Sequence, residues 1–136
     1  MKVNETLANC YKNNAAEFGQ RFMPFIELPK GGTDMSNVSH RVPTLHPLIA
    51  ISPPSVMIHD PEFATWAKGE RADQAIVEGS KALAMTAIDL MTKPNLVAKM
   101  HDEFELTADA SRRAVELAYS AGGVHGAGGC GCGGSH

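Results

Sequence analysis

The chain has 136 residues, 43% of them apolar, and a formal net charge of -3. That is enough length and apolar content for one packed domain. Lys, Arg, Asp and Glu are mixed along it, which argues against the clustered basic footprint of a nucleic-acid binder, and no apolar run approaches the roughly 20 residues that span a bilayer.

The N-terminus shows neither the basic nor the apolar stretch of a secretory signal, so a cytoplasmic location is expected. Three cysteines, an odd count without a signal, argue against a disulfide framework.

Asn4 to Phe18 reads as a helix. Leu7, Tyr11, Asn14 or Ala15, and Phe18 recur at helical spacing, so one face is apolar. Cys10 falls in this pattern as a small buried or half-buried side chain, and Gly19 is a natural stop. Phe22 to Lys30, with Pro24 and Pro29, reads as an extended connection. Gly31 to Ser39 reads as a polar, Gly-rich loop.

Val42 to Ser52 is the best strand candidate: β-branched and apolar residues run up to Pro53-Pro54. The Leu48 to Ile51 run suits a strand buried on both faces. Asp60-Pro61-Glu62 marks a helix start, with Pro61 in the first turn and Glu62 favoured by the helix dipole; that helix should end near Lys68.

Glu70 to Met91 reads as a long helix with a packing stripe of Ile76, Gly79, Leu83, Ala87 and Leu90. Small residues such as Gly79, Ala82 and Ala84 allow close approach. Pro94 to Phe104 and Thr107 to Ala121 read as two further helices. From Gly122 to His136 the composition shifts to Gly with Cys and His, and a disordered tail is expected.

Two histidine-carboxylate clusters flank the strand candidate. Asp34 and His40 lie before it, with His46 just ahead of its apolar run from Leu48. His59, Asp60 and Glu62 lie after it, between a Pro-rich turn and a helix start, where sites collect in α/β sheets. Neutral imidazole is a common zinc ligand, and a neighbouring carboxylate can orient it. His59 is the best single ligand candidate, with a solvated or capping role as the alternative. Thr33, Asp34, Ser36 and Asn37 are also what an ordinary turn uses. His46 abuts the strand, and His101, between charged neighbours, reads as a solvated helix residue. A catalytic zinc site needs three protein ligands and an open position, with a base for the water. Spacing alone therefore yields part of a site.

The residues Gly-Gly-Thr-Asp-Met-Ser-Asn-Val-Ser-His-Arg-Val-Pro-Thr-Leu-His-Pro, 31 to 47, resemble a signature of M20 family metallopeptidases, in the amidohydrolase branch. That signature reads Gly-Ser-Thr-Asp-x-Gly-Asn-Val-Ser/Thr, then Val-Pro-x-Ile-His-Pro. The resemblance continues through Ile58-His59-Asp60-Pro61-Glu62-Phe63, through Lys81 to Leu90, and from Lys93-Pro94 to Phe104. It covers roughly residues 4 to 106.

The resemblance implies an α/β fold: the C-terminal portion of a zinc-peptidase-like α/β/α catalytic domain, helix-rich with one or two sheet strands. It divides the chain into a linking helix and connection over 1–30, catalytic-domain sequence over 31–106, an extra helix over 107–121 and the tail over 122–136. It implies a dinuclear site for divalent metal, zinc first and manganese or cobalt next, in a homodimeric enzyme that cleaves amide bonds of dipeptides or N-acyl amino acids. His59 matches the family's last metal-binding histidine. Asp34, Asn37 and His46 match its site-proximal loop and are expected to shape the site or contact substrate.

The departures are equally plain. The family's His-x-Asp motif, Glu-Glu pair and lid domain have no counterpart in these 136 residues. Ser36 stands where the signature has Gly. The expectation is a C-terminal part that is inactive alone. The rival expectation is a non-catalytic metal-binding protein using Cys130, Cys132, His125 and His136, whose thiolates and imidazoles suit a soft or borderline metal.

Overall fold

A computed structural model describes residues 1–22 and 33–122. Five helices follow in order: α1 (Glu5–Ala16), α2 (Met35–Ser39), α3 (Phe63–Trp66), α4 (Glu70–Thr92) and α5 (Pro94–Gly122). The three longest pack on one another, α1 lying against both α4 and α5.

α1 starts where the sequence can satisfy its loose amides. The Asn4 side chain accepts from the Leu7 amide at 2.9 Å, and its amide group donates to the Met100 carbonyl on α5 at 2.9 Å. Asn4 is thus an N-cap and an interhelical tie together. At the other end Gly19 adopts φ 75. That left-handed turn lets the Gln20 amide donate back to the Ala15 carbonyl at 3.3 Å, closing the helix as a C-terminal glycine does.

The core is small. Tyr11, Ala15 and Ala82 form its centre, with Phe18 and Leu45 packed against them. The buried face of α4 is Ala72, Ala75, Gly79, Ala82 and Thr86. This corrects the expected stripe. Ile76 is 68% and Leu83 51% exposed, and of that stripe only Gly79 is buried. The physical reason is proximity: small side chains let α1 and the segment after residue 42 come close to α4, which turns the larger ones outward.

Two other elements differ from expectation. The polar loop before residue 40 contains a one-turn helix, α2, closed by Ser39 donating to the Ser36 carbonyl at 2.6 Å. The two helices expected over 94–121 are one continuous helix, α5, because Glu105-Leu106 contains no breaker and both flanks favour helix.

Among the described residues there is no β-strand. Val42 to Ser52 crosses α1 and α4 without regular secondary structure, with Leu45 on the core and Ile49 over Gly79. A strand needs a neighbour to share its ladder, and none of the described segments lies beside it as one. The expected burial on both faces fails for the same reason: only the helical side is covered. Among the described residues no helix is long and apolar enough to cross a membrane.

Candidate functional site

Asp34 and Asn37 share a single turn. Asp34 stands at the N-cap of α2 without a side-chain capping bond, and its carbonyl accepts from the Asn37 amide at 3.1 Å. Both side chains are exposed. The turn is instead braced by Thr33, whose hydroxyl accepts from the Met35 amide at 3.3 Å. His46 is exposed on the segment that follows.

His59 is exposed and has φ 72, the one non-glycine residue with positive φ among those described. It occupies a turn closed by the Asp60 amide donating to the Met57 carbonyl at 3.1 Å. Asp60 does not bond the imidazole. Its carboxylate accepts from the Glu62 amide at 3.0 Å and so starts the turn into α3. The left-handed conformation costs a histidine about 1–2 kcal/mol relative to ordinary backbone, and such strain persists only where the surroundings hold it.

The described residues contain no group of three or more His, Cys, Asp or Glu side chains able to hold a metal ion. The histidines and carboxylates singled out from the sequence therefore do not form a metal centre by themselves. His59 can contribute one ligand to a centre completed from elsewhere. His125, Cys130, Cys132 and His136 lie outside the described residues.

Two polar clusters escaped the sequence reading. The first joins α1 to α4. Asn14 donates to the Thr86 hydroxyl and to the Asp89 carboxylate, each at 3.2 Å, while Cys10 donates to Asp89 at 3.4 Å. Lys93 pairs with Asp89 at 2.7 Å. The Lys93 and Asn14 bonds hold the Asp89 carboxyl below its ordinary value. Burial, and then the neighbouring Asp89, push the Cys10 thiol above its own. A neutral thiol that donates to a carboxylate is a packing group, not a nucleophile. The cluster fixes the register of α1 on α4. Asn14 and Thr86, polar residues on otherwise apolar helical faces, were its only sequence signal.

The second cluster ties the first helix to the last. Glu103 on α5 accepts from the Glu5 amide at 2.6 Å and from the Thr6 amide at 2.8 Å. Burial opposes its charge, but the two amides outweigh it and hold the carboxyl below its usual value. The Lys2 ammonium lies 4.9 Å from the centre of the Phe104 ring, a cation–π contact. The space among Lys2, Asn4, Ser39 and Glu103 measures about 10 Å³, room for about one water. It cannot admit a substrate.

Comparison with known proteins supplies what the geometry withholds. The chain is 33% identical over 105 residues to Xaa-Arg dipeptidase of Mus musculus and 32% identical over 106 residues to Xaa-Arg dipeptidase of Homo sapiens. This similarity supports a peptidase relation. The match takes in 75% and 76% of this chain but 24% of each relative; the chain spans about a quarter of the length of the curated relatives it matches. No family model matches it. No solved structure matches it. The peptidase relation thus rests on three quarters of these residues.

Proposed function

We propose that this chain is the C-terminal part of an M20-type, metal-dependent amidohydrolase or dipeptidase. The similarity to Xaa-Arg dipeptidases over 105 residues carries the proposal. The substrates of the whole enzyme are dipeptides, those ending in arginine first, or N-acyl amino acids. His59 is the chain's metal ligand, and Asp34, Asn37 and His46 face the substrate side.

A pair of divalent ions, zinc before manganese or cobalt, would supply the activated water for amide hydrolysis. On this reading the described residues offer them one imidazole, and the other ligands and the proton-transferring carboxylate come from outside the described residues. The sheet of the complete α/β unit, and the homodimer expected of it, belong there as well. The chain alone is inactive on this reading.

A chimera tests it: mouse Xaa-Arg dipeptidase with this chain in place of the segment it matches. The chain alone should give no turnover of arginine-ending dipeptides, with or without added zinc. The chimera should turn them over. His59→Ala in the chimera should cut kcat by at least the roughly 10–100-fold that removing a mere outer partner of a metal ligand costs, and should lower its bound metal. Full activity and full metal content in that variant would remove His59 from the site. Zinc-dependent turnover by the chain alone, lost in His59→Ala, would show a complete site here and overturn the proposal.

A further inference from the structure

His59 is the third residue of a four-residue turn. The Asp60 amide donates to the Met57 carbonyl at 3.1 Å, and His59 alone among the described non-glycine residues has a positive φ, 72. Positive φ at the third position and not at the second is the pattern of a type II turn, which takes Gly or Asn where His59 stands. The strained residue is therefore the one proposed to hold the metal. Strain of this kind is about the size of one hydrogen bond, so a single neighbouring bond decides whether the turn persists.

That bond comes from Asp60. Its amide closes the turn behind it, its carbonyl accepts from the Phe63 amide at 2.9 Å, and its carboxylate accepts from the Glu62 amide at 3.0 Å. The following Pro61 disfavours helical backbone at Asp60, which keeps α3 from winding back toward His59. Packing does not place this segment: α3 is four residues long, buries none of them and has no side-chain cap at its N-cap. Over residues 57–66, among the described residues, Asp60 is the one side chain bonded to the backbone; the Glu62 carboxylate accepts instead from the Trp66 indole at 3.5 Å.

We propose that Asp60 is a positioning residue for the metal ligand His59, and that it acts through the backbone: by holding the Glu62 amide it fixes the turn from which the imidazole projects. A carboxylate beside a ligating histidine commonly bonds the ring itself. Here it is engaged by the Glu62 amide instead. The backbone role needs a short acceptor able to reach the amide two residues on, as Asp and Asn side chains do; it does not need negative charge. This role rests on the proposed function, since it takes His59 to bind metal.

Three variants separate acceptor from charge. Asp60→Asn keeps the acceptor without the charge. Asp60→Glu keeps the charge on a side chain too long for the same turn. Asp60→Ala removes both. Asp60 is exposed, so all three should melt like the parent. In the metal-free chain, NMR reads the turn, because a positive φ gives His59 a strong cross-peak between its own amide and Hα protons. The cross-peak should persist in Asp60→Asn and fall to the level of its neighbours in Asp60→Ala and Asp60→Glu. In the chimera, zinc affinity measured by chelator competition should stay at the parent's in Asp60→Asn. It should fall about 10–100-fold in the other two, the range for removing an outer partner of a ligand. Affinity lost in Asp60→Asn and kept in Asp60→Glu would overturn the proposal in favour of a charge acting on the ring or the metal. Affinity unchanged in all three would also overturn it, as would a His59 cross-peak unchanged in Asp60→Ala. If His59→Ala leaves the zinc of the chimera intact, the proposed function falls whatever the Asp60 variants do. If His59→Ala loses the zinc and Asp60→Ala keeps it, only the positioning role falls.

Discussion

His59 shows how one side chain can be placed against its own backbone preference. Glycine relieves a left-handed position, but it also gains freedom in the unfolded chain. His59→Gly should therefore stabilise the chain by up to about 1 kcal/mol, while His59→Val, branched at Cβ, should destabilise it by about 1 kcal/mol or more. Urea denaturation of the two variants checks this; equal midpoints would mean that the turn relaxes in solution. Glu103 makes the opposite bargain, because its charge sits where two helix amides want one. Glu103→Gln should cost about 1 kcal/mol at neutral pH. The folded carboxyl is held below its ordinary value, so its contribution is complete above the unfolded value near about 4.3. It is lost as pH falls through the folded value. Acid titration of stability should accordingly be shallower in Glu103→Gln than in the parent, and parallel curves would show that the two amides do not hold this carboxylate in solution.

At the scale of elements, α4 carries two unlike faces. Its inner face works through smallness, with Ala82 wholly buried and Gly79 beneath Ile49. In Gly79→Ala the new methyl meets only the end of a flexible side chain, and the helix gains about 1 kcal/mol of propensity. That variant should melt within about 1 kcal/mol of the parent, whereas Gly79→Leu should lose about 1–3 kcal/mol by displacing Ile49. Thermal melts of the pair decide whether the contact exists. The outer face holds Ile76, Val77, Leu83, Ile88 and Met91, all exposed. Ile76→Gln and Leu83→Gln should each change the stability of the isolated chain by less than about 0.5 kcal/mol. A much larger loss would mean that this face is covered in solution.

The same helix shows what the sequence could and could not reveal. Periodicity placed α4 within a residue of its ends, since a long stretch without Pro carries its own signal. The face was misread because the largest apolar residues were taken as the packing stripe. Hydrophobicity marks a face that prefers cover; it does not say whether the cover is within reach. Val42 to Ser52 failed similarly: alternation is local and was legible, but a ladder belongs to two segments. Asp34, His46 and His59 could be singled out from their neighbours in the sequence, but grouping them with Asn37 as one site rests on the family pattern alone, because no short spacing motif joins them.

Across the whole molecule, the Glu103 contact also orders events in time. It reaches back 98 residues to the Glu5 amide and 97 to that of Thr6, and Asn4 reaches Met100 across 96. At about 5–20 residues per second, a ribosome needs about 5–20 s to add that much chain. Through that interval the start of α1 has emerged without its clamp, and its apolar face waits for α4 and α5. The nascent chain therefore has a window in which Tyr11 and its neighbours are open to chaperones or to misassociation; it begins to close when α4 brings Ala82, and the first turn of α1 is clamped only once Glu103 has followed.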